Sequence, residues 1–192
     1  MNIKTRLIRW LVSCFLSALP LVVLATPPQW QIVPAESQLM FTATQNGAPV
    51  TGQFKIFSGE IFVDPGDLSV GSIDIVVDIN SISASYADLK DTLITADWFN
   101  AKMFPKAEFK ATQFKQTGKN AYQATGSLTI RDKSAPVTLT FSAEEPTADK
   151  RVVIGSTIIK RSTFGVGQGE WAGTDEIKDE VTVNFKVVAV KK

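Results

Sequence analysis

Ile73-Asp74-Ile75-Val76-Val77-Asp78-Ile79-Asn80 is the stretch that decides the fold. Every odd position is apolar, and the even positions are polar except Val76. Side chains of an extended strand point alternately to two faces, so this segment has one dry face and one wetter face. The same period of two returns further on. Tyr122, Ala124, Gly126, Leu128 and Ile130 alternate with Gln123, Thr125, Ser127 and Thr129. Val137, Leu139, Phe141 and Ala143 alternate with Thr138, Thr140, Ser142 and Glu144, and Val181, Val183, Phe185, Val187 and Ala189 form one face of a last strand. Strands that are wet on one side belong to antiparallel sheets.

The other segments are less regular. Residues 30–33 and 39–44 read as a pair around Pro34-Ala35-Glu36-Ser37, and residues 107–111 and 152–160 read as two more strands. Residues 50–64 are too long for one unbroken strand. Their apolar phase is even at Val50, Phe54 and Ile56 but odd at Phe57, Ile61 and Val63, so a bulge or sharp bend at Ile56-Phe57 is needed to keep one inward face. Gly52 and Gly59 suit a tightly curved wall. Turn chemistry at Asn46-Gly47, Asp64-Pro65-Gly66-Asp67, Thr117-Gly118-Lys119-Asn120, Arg131-Asp132-Lys133-Ser134 and after Glu145-Pro146 separates about eight strands, the pattern of a barrel or sandwich. Only residues 85–104 break it. Leu89 and Leu93 fall four apart, and Pro105 ends the stretch, so a helix or short helices are expected there.

The amino end has Lys4, Arg6 and Arg9, then an apolar run over residues 10–24, then Val23-Leu24-Ala25. Basic, apolar and small, in that order, predict a secretory signal peptide over residues 1–25, and the run is shorter than the ~20 residues of a membrane span. Cys14, the only cysteine, lies in the middle of the apolar run rather than at its end, which does not fit a lipid-modified cysteine. Residues 26–192 then form one domain. Removing three basic residues from a chain with 20 basic and 19 acidic ones leaves it slightly acidic, so bulk charge favours neither nucleic acid nor an anionic membrane. The chain has no histidine. This removes the commonest general base, the Ser-His and Cys-His pairs and the usual transition-metal ligand. Asp88, Asp91 and Asp97 read as solvent-facing or capping groups, and Ser156 and Lys160 stand too far apart along a strand to form a dyad. No catalytic residue, no metal and no cofactor is expected.

Several motifs, in order, resemble the YceI family. They are Gly52-Gln53-Phe54 with Phe57-Ser58-Gly59-Glu60-Ile61; Leu93-Ile94-Thr95-Ala96-Asp97-Trp98-Phe99 with Phe104-Pro105 and Phe109; and Gly126-Ser127-Leu128-Thr129-Ile130 with Pro136-Val137-Thr138-Leu139. Arg161-Ser162-Thr163-Phe164-Gly165 and Asp179-Glu180-Val181 complete the set. Thr92 and Gln45 stand where that family often carries histidine. The resemblance implies an all-β, eight-stranded, antiparallel, lipocalin-like barrel with a short helical insert. It also implies a periplasmic or secreted protein that holds a polyisoprenoid chain or similar amphiphile, such as an isoprenoid quinone, for storage or transfer in the cell envelope. A homodimer sharing the barrel mouth is compatible with it.

The lining expected for such a ligand is Phe41, Phe54, Phe57, Ile75, Val77, Phe109, Leu128, Phe141 and Phe185, closed at one end by Leu89, Leu93, Trp98 and Phe99. Arg161, Phe164 and Trp171 flank a loop with three glycines in five residues. Arg161 there suits an anionic head at the mouth, or an ion pair with Asp97 or Asp179. Trp171 suits a cover over the opening or packing on the wall. The alternatives are a barrel that binds a protein partner and an enzyme acting on an envelope lipid. A membrane-spanning barrel wants aromatic girdles and longer strands, so an integral membrane protein is not expected.

Overall fold

A computed structural model describes residues 26–192, so the expected signal peptide and Cys14 lie outside the described residues. The strands are β1 (Gln29–Ile32), β2 (Gln38–Gln45), β3 (Ala48–Phe54), β4 (Phe57–Asp64), β5 (Asp67–Asp78), β6 (Ile82–Ala84), β7 (Lys106–Gln116), β8 (Ala121–Ile130), β9 (Lys133–Thr147), β10 (Lys150–Lys160) and β11 (Glu180–Lys191). One short α-helix, α1 (Ala87–Leu93), is found among the described residues.

These eleven pieces make eight walls. β1 and β2 are one wall interrupted by a single 3₁₀ turn, Pro34–Glu36. β3 and β4 are one wall interrupted at Lys55 and Ile56, and β5 and β6 one wall interrupted by Ile79–Ser81. β7 to β11 follow as an antiparallel meander. β11 closes the ring by pairing along its length with two pieces of the first wall. Thr182 to Lys186 pair with Thr42 to Gln38 of β2, and Ala189 to Lys191 pair with Ile32 to Trp30 of β1. Closure removes the sheet edge that an open meander would leave unpaired.

The three interruptions lie on neighbouring walls and form one bend line. The phase switch expected at Ile56-Phe57 is met there. Ile56 turns outward and is 60% exposed, while Phe57 resumes the inward series at 8%. The backbone groups freed by the bend are satisfied across it. Ile56 N–H donates to Ser81 Oγ at 3.0 Å and Lys55 N–H to the Ser81 carbonyl at 3.3 Å. Asp78 accepts from the Asn80 N–H at 2.9 Å, capping the adjacent 3₁₀ turn. On the first wall Ser37 donates to the Val33 carbonyl and accepts from the Val188 N–H at 3.0 Å, which ties the bend to β11.

The helix expected over residues 85–104 is corrected to α1 alone, followed by a run of turns. Threonine hydroxyls compete for the backbone there. Thr92 donates to the Asp88 carbonyl at 2.9 Å and Thr95 to the Thr92 carbonyl at 2.7 Å, and Asn100 adopts a left-handed conformation (φ 49°). Phe99 and Ala101 N–H groups then fold back onto the carbonyls of Leu93 and Ile94. Asp97 caps no helix; its carbonyl accepts from Gly167 and Gln168 instead.

Asn46 and Gly47 are both left-handed (φ 49° and 78°), the two-residue turn that matches the twist of the flanking β2 and β3. Gly59 has a different role. A Cβ there would strike the Asp74 carbonyl oxygen and Ile75 Cα at 2.9 Å on the neighbouring β5. Backbone cannot step aside as a flexible side chain can. Gly59→Val is therefore expected to destabilise the barrel by about 1–3 kcal/mol or more. Thermal unfolding checks this, at about 2–4 °C of melting temperature per kcal/mol for a domain of this size.

Candidate functional site

The walls enclose a cavity of about 780 Å³. Its lining follows from the alternation. Ile75 and Val77 of β5, Phe109 of β7, Leu128 of β8, Phe141 of β9 and Phe185 of β11 all face it, as do Phe41, Phe54 and Phe57 from β2, β3 and β4. Inward-facing Ile73, Ile75, Val77 and Val183 are only part-buried although they point away from bulk solvent, because the barrel centre is not filled by side chains. The aromatics meet at stacking distances. Phe41 and Phe54 lie 5.8 Å apart between ring centroids, Phe54 and Phe99 5.9 Å and nearly perpendicular, and Tyr122 and Phe141 5.8 Å. The outer face is polar on several walls, with Lys110 bridging Asp74 and Glu108, and Thr125 hydrogen-bonded to Thr138. That is not the apolar outer band of a membrane-spanning barrel. Among the described residues no helix is long and apolar enough to cross a membrane.

One end of the cavity is closed by α1, the turns after it and the loop between β10 and β11. Leu93, Trp98 and Phe164 are buried there, and Leu89, Phe99 and Trp171 are half-buried; all six line the cavity. Trp171 packs on Trp98 at 5.7 Å between ring centroids rather than lying open over a mouth. The loop is fastened to the turns because Gly167 and Gln168 N–H groups donate to the Asp97 carbonyl at 2.8 and 2.7 Å. Arg131, left-handed in the β8–β9 turn, donates to the carbonyls of Ala96 at 3.0 Å and Gly165 at 2.8 Å and so bridges the same two segments. The lining reaches exposed residues at both ends: Tyr86 and Asp88 beside α1, and Pro65, Asn120, Glu144 and Glu145 among the hairpins opposite. Gln45 and Thr92 lie in the lining near α1.

Arg161 is neither a free head-group anchor nor one half of an ion pair, which corrects both expectations. It is 3% exposed. Its Nε donates to the Lys178 carbonyl at 3.2 Å, Nη1 to Val166 and Gly167 at 3.1 Å each, and Nη2 to Gly173 at 2.7 Å and Ile177 at 3.0 Å. A guanidinium has five N–H donors, and five backbone carbonyls take them. Nothing is left for a ligand, and among the described residues no carboxylate comes within ion-pair distance of it. Burial pushes its proton affinity down, and the charge of Asp179 offsets part of that. Burial pushes the Asp179 carboxyl up, but hydrogen bonds from Ser162 and the charges of Arg161 and Lys160 outweigh it and hold the group below the usual carboxylate range. The loop needs this fastening because Gly165, Gly167 and Gly169 are all left-handed (φ 65°, 79° and 61°), and the buried Gly165 and Gly167 carbonyls have no strand to pair with.

Three lining residues carry no periodic signal that sequence reading used. Trp30 is 5% exposed and donates from Nε1 to the Val63 carbonyl at 2.9 Å, and Arg151 lies over its ring with Glu145 beside it. Inward alternation of β10 from Val153 back to Arg151 is the cue that could have found the arginine.

A family model described as a YceI-like domain matches residues 30–189. A UPF0312 protein of Vibrio cholerae is 25% identical over 122 residues, which are 61% of the chain and 65% of that relative, so the chain covers less than two thirds of the relative's length. The crystal structure of BcnA from Burkholderia cenocepacia is similar at 33% identity and a TM-score of 0.79, covering 83% of the chain and 99% of BcnA. A polyisoprenoid binding domain from Saccharophagus degradans, implicated in plant cell wall breakdown, has the same fold at a TM-score of 0.69 and 14% identity, covering 85% of the chain and 98% of that domain.

Arg161→Met is expected to leave five carbonyls short of a donor, three of them in buried bonds, and to cost at least about 3 kcal/mol, at about 1–3 kcal/mol for each buried group left unpaired; denaturant unfolding measures it. Asp179→Asn tests the carboxylate. A depressed folded-state pKa contributes stability above the unfolded pKa of about 3.9 and loses it as pH falls through the folded value. The variant is therefore expected to be about 1 kcal/mol less stable at neutral pH, with the gap closing below about pH 4 in melts run across pH.

Proposed function

The chain belongs to the YceI-like family, and from that membership we propose that it is an exported, non-catalytic protein that holds a long apolar chain of polyisoprenoid type inside the barrel. The observation that carries this is the roomy cavity of about 780 Å³ walled by inward strand faces. A barrel of this fold is a polyisoprenoid binding domain in Saccharophagus degradans, so the architecture can house such a chain. At about 30 Å³ for each water-sized group the space holds roughly 25 methylene-sized groups, or about five isoprene units; a longer chain leaves its remainder outside. Each methylene taken from water contributes about 0.8 kcal/mol, so ten of them contribute about 8 kcal/mol before ordering costs. No polar contact is required for retention.

The bilayer offers the chain much the same gain. The protein therefore works as a reversible carrier or store between membranes, with the periplasm as its compartment. The lining aromatics are proposed as the ligand contacts, Phe41, Phe54, Phe99 and Phe141 foremost, because their packed ring pairs present broad apolar surface to the cavity.

Native mass spectrometry of protein purified from its host's cell envelope tests the reading. The expected result is a bound isoprenoid, quinone or acyl chain in the wild type. Val183→Trp, which fills the middle of the barrel, is expected to lower occupancy at least about tenfold while the protein stays folded, since losing even two methylenes' worth of burial is about 1.6 kcal/mol. A wild-type barrel that arrives empty and takes up no added prenyl chain overturns it.

A further inference from the structure

Two arginines line the cavity, and they are in opposite states. Arg161 has spent every donor on backbone carbonyls. Arg151 has not. It sits at the hairpin end, opposite α1, where β10 begins. Its register partner is Ala189, and it continues the inward series of Val153 with Val187 and Gly155 with Phe185, so its cation faces the barrel interior.

The guanidinium is held rather than loose. It lies 4.6 Å from the centroid of the Trp30 ring, and Nη1 donates to the carbonyls of Thr147 and Lys150 at 3.1 Å and Ala148 at 3.4 Å. Nη2 lies 2.7 Å from the Glu145 carboxylate. Nε–H and the second Nη2–H have no partner among the described residues. The arginine side chain is 17% exposed, whereas that of Glu145 is 58% exposed. A fixed and largely desolvated cation is thus countered by one carboxylate that stands mostly in water. Lys191 pairs with Trp30 across β1 and β11, so it shares the inner face at the rim, diagonal to Arg151 and exposed.

We propose that Arg151, with Lys191 at the rim, is the seat for the anionic head of the bound lipid, a phosphate monoester or similar group, and that Glu145 fills it as an internal stand-in which the head displaces. The inference rests on the lipid-binding reading and adds the class of head group and the direction of the ligand. An ion pair with an exposed partner contributes about 0–1 kcal/mol, so its loss is a small cost. A phosphate presents several charged oxygens and uses the donors that Glu145 leaves idle, in the two-pronged geometry for which guanidinium is suited. The chain then runs from the hairpin end toward Trp98 and Phe164, which are buried at the other end.

Binding of geranylgeraniol and of geranylgeranyl monophosphate, which share one chain, separates the head from the tail. Affinities read by tryptophan fluorescence give a phosphate-to-alcohol ratio for each protein. The wild type is expected to favour the phosphate about tenfold or more, the scale of a charge-assisted hydrogen bond. Arg151→Gln is expected to bring the ratio close to one, and Glu145→Gln to raise it. A wild-type ratio near one, a preference that survives Arg151→Gln, or a ratio that fails to rise in Glu145→Gln overturns the proposal. If Arg151→Gln does not fold, the Glu145→Gln arm decides. Inorganic phosphate alone at millimolar concentration is expected to leave the ratio unchanged; if it saturates the site, the seat is one for free anions and not for a lipid head. Failure of both prenyl ligands to bind removes the lipid-binding reading itself, and this inference with it.

Discussion

A sheet that closes on itself has an inside, and everything in this molecule follows from how the closure is made. β11 pairs with β10 on one side, and on the other with two offset pieces of the first wall. The offset exists because the first three walls each break along one line, at Pro34–Glu36, at Lys55 and Ile56, and at Ile79–Ser81. Without that line the even-phase half of the third and fourth strands would turn Phe57, Ile61 and Val63 outward, since a one-residue slip reverses every side chain. Ser81 and Ser37 stabilise it by accepting the N–H groups that the breaks release.

Closure with eight walls leaves more room than the side chains fill, and the two ends are managed differently. At the α1 end, carbonyls of a glycine-rich loop are gathered by Arg161, while Arg131 and the Asp97 carbonyl fasten that loop to the turns after α1. A buried cation is costly, and here its donors are fully matched, so it stabilises a segment that has no ladder of its own. At the hairpin end the arginine is stacked on an indole and countered by an exposed acid. One arginine therefore has all five donors on backbone carbonyls, and the other is countered by a single exposed carboxylate. The cavity between them is walled mainly by apolar side chains, with polar residues such as Gln45, Thr92, Glu144 and Glu145 toward its ends.

Much of this was legible in the chain. Ile73 to Ile79, Leu128, Phe141 and Phe185 declare their inward face through strict alternation, and the phase error at Ile56-Phe57 marks the bend. The helical insert was legible as a break in the strand pattern but not in its extent, because the hydroxyls of Thr92 and Thr95 and the left-handed Asn100 end the helix, and periodicity of apolar residues does not register them. Arg161 stood out, but its partners lie 5 to 17 residues away in an irregular loop. A charged residue just before a glycine-rich loop reads the same whether its donors face a ligand or the backbone.

Sequence alone determined which faces are apolar, how many walls there are and where turns fall, because these depend on residue type and on the fixed two-residue repeat of a strand. Only the tertiary structure decided that the apolar faces surround empty space, and which of two inward arginines keeps donors to spare. Both depend on distances between segments far apart in the chain: the span across the barrel sets the volume, and the reach of each guanidinium to particular carbonyls sets what is left over.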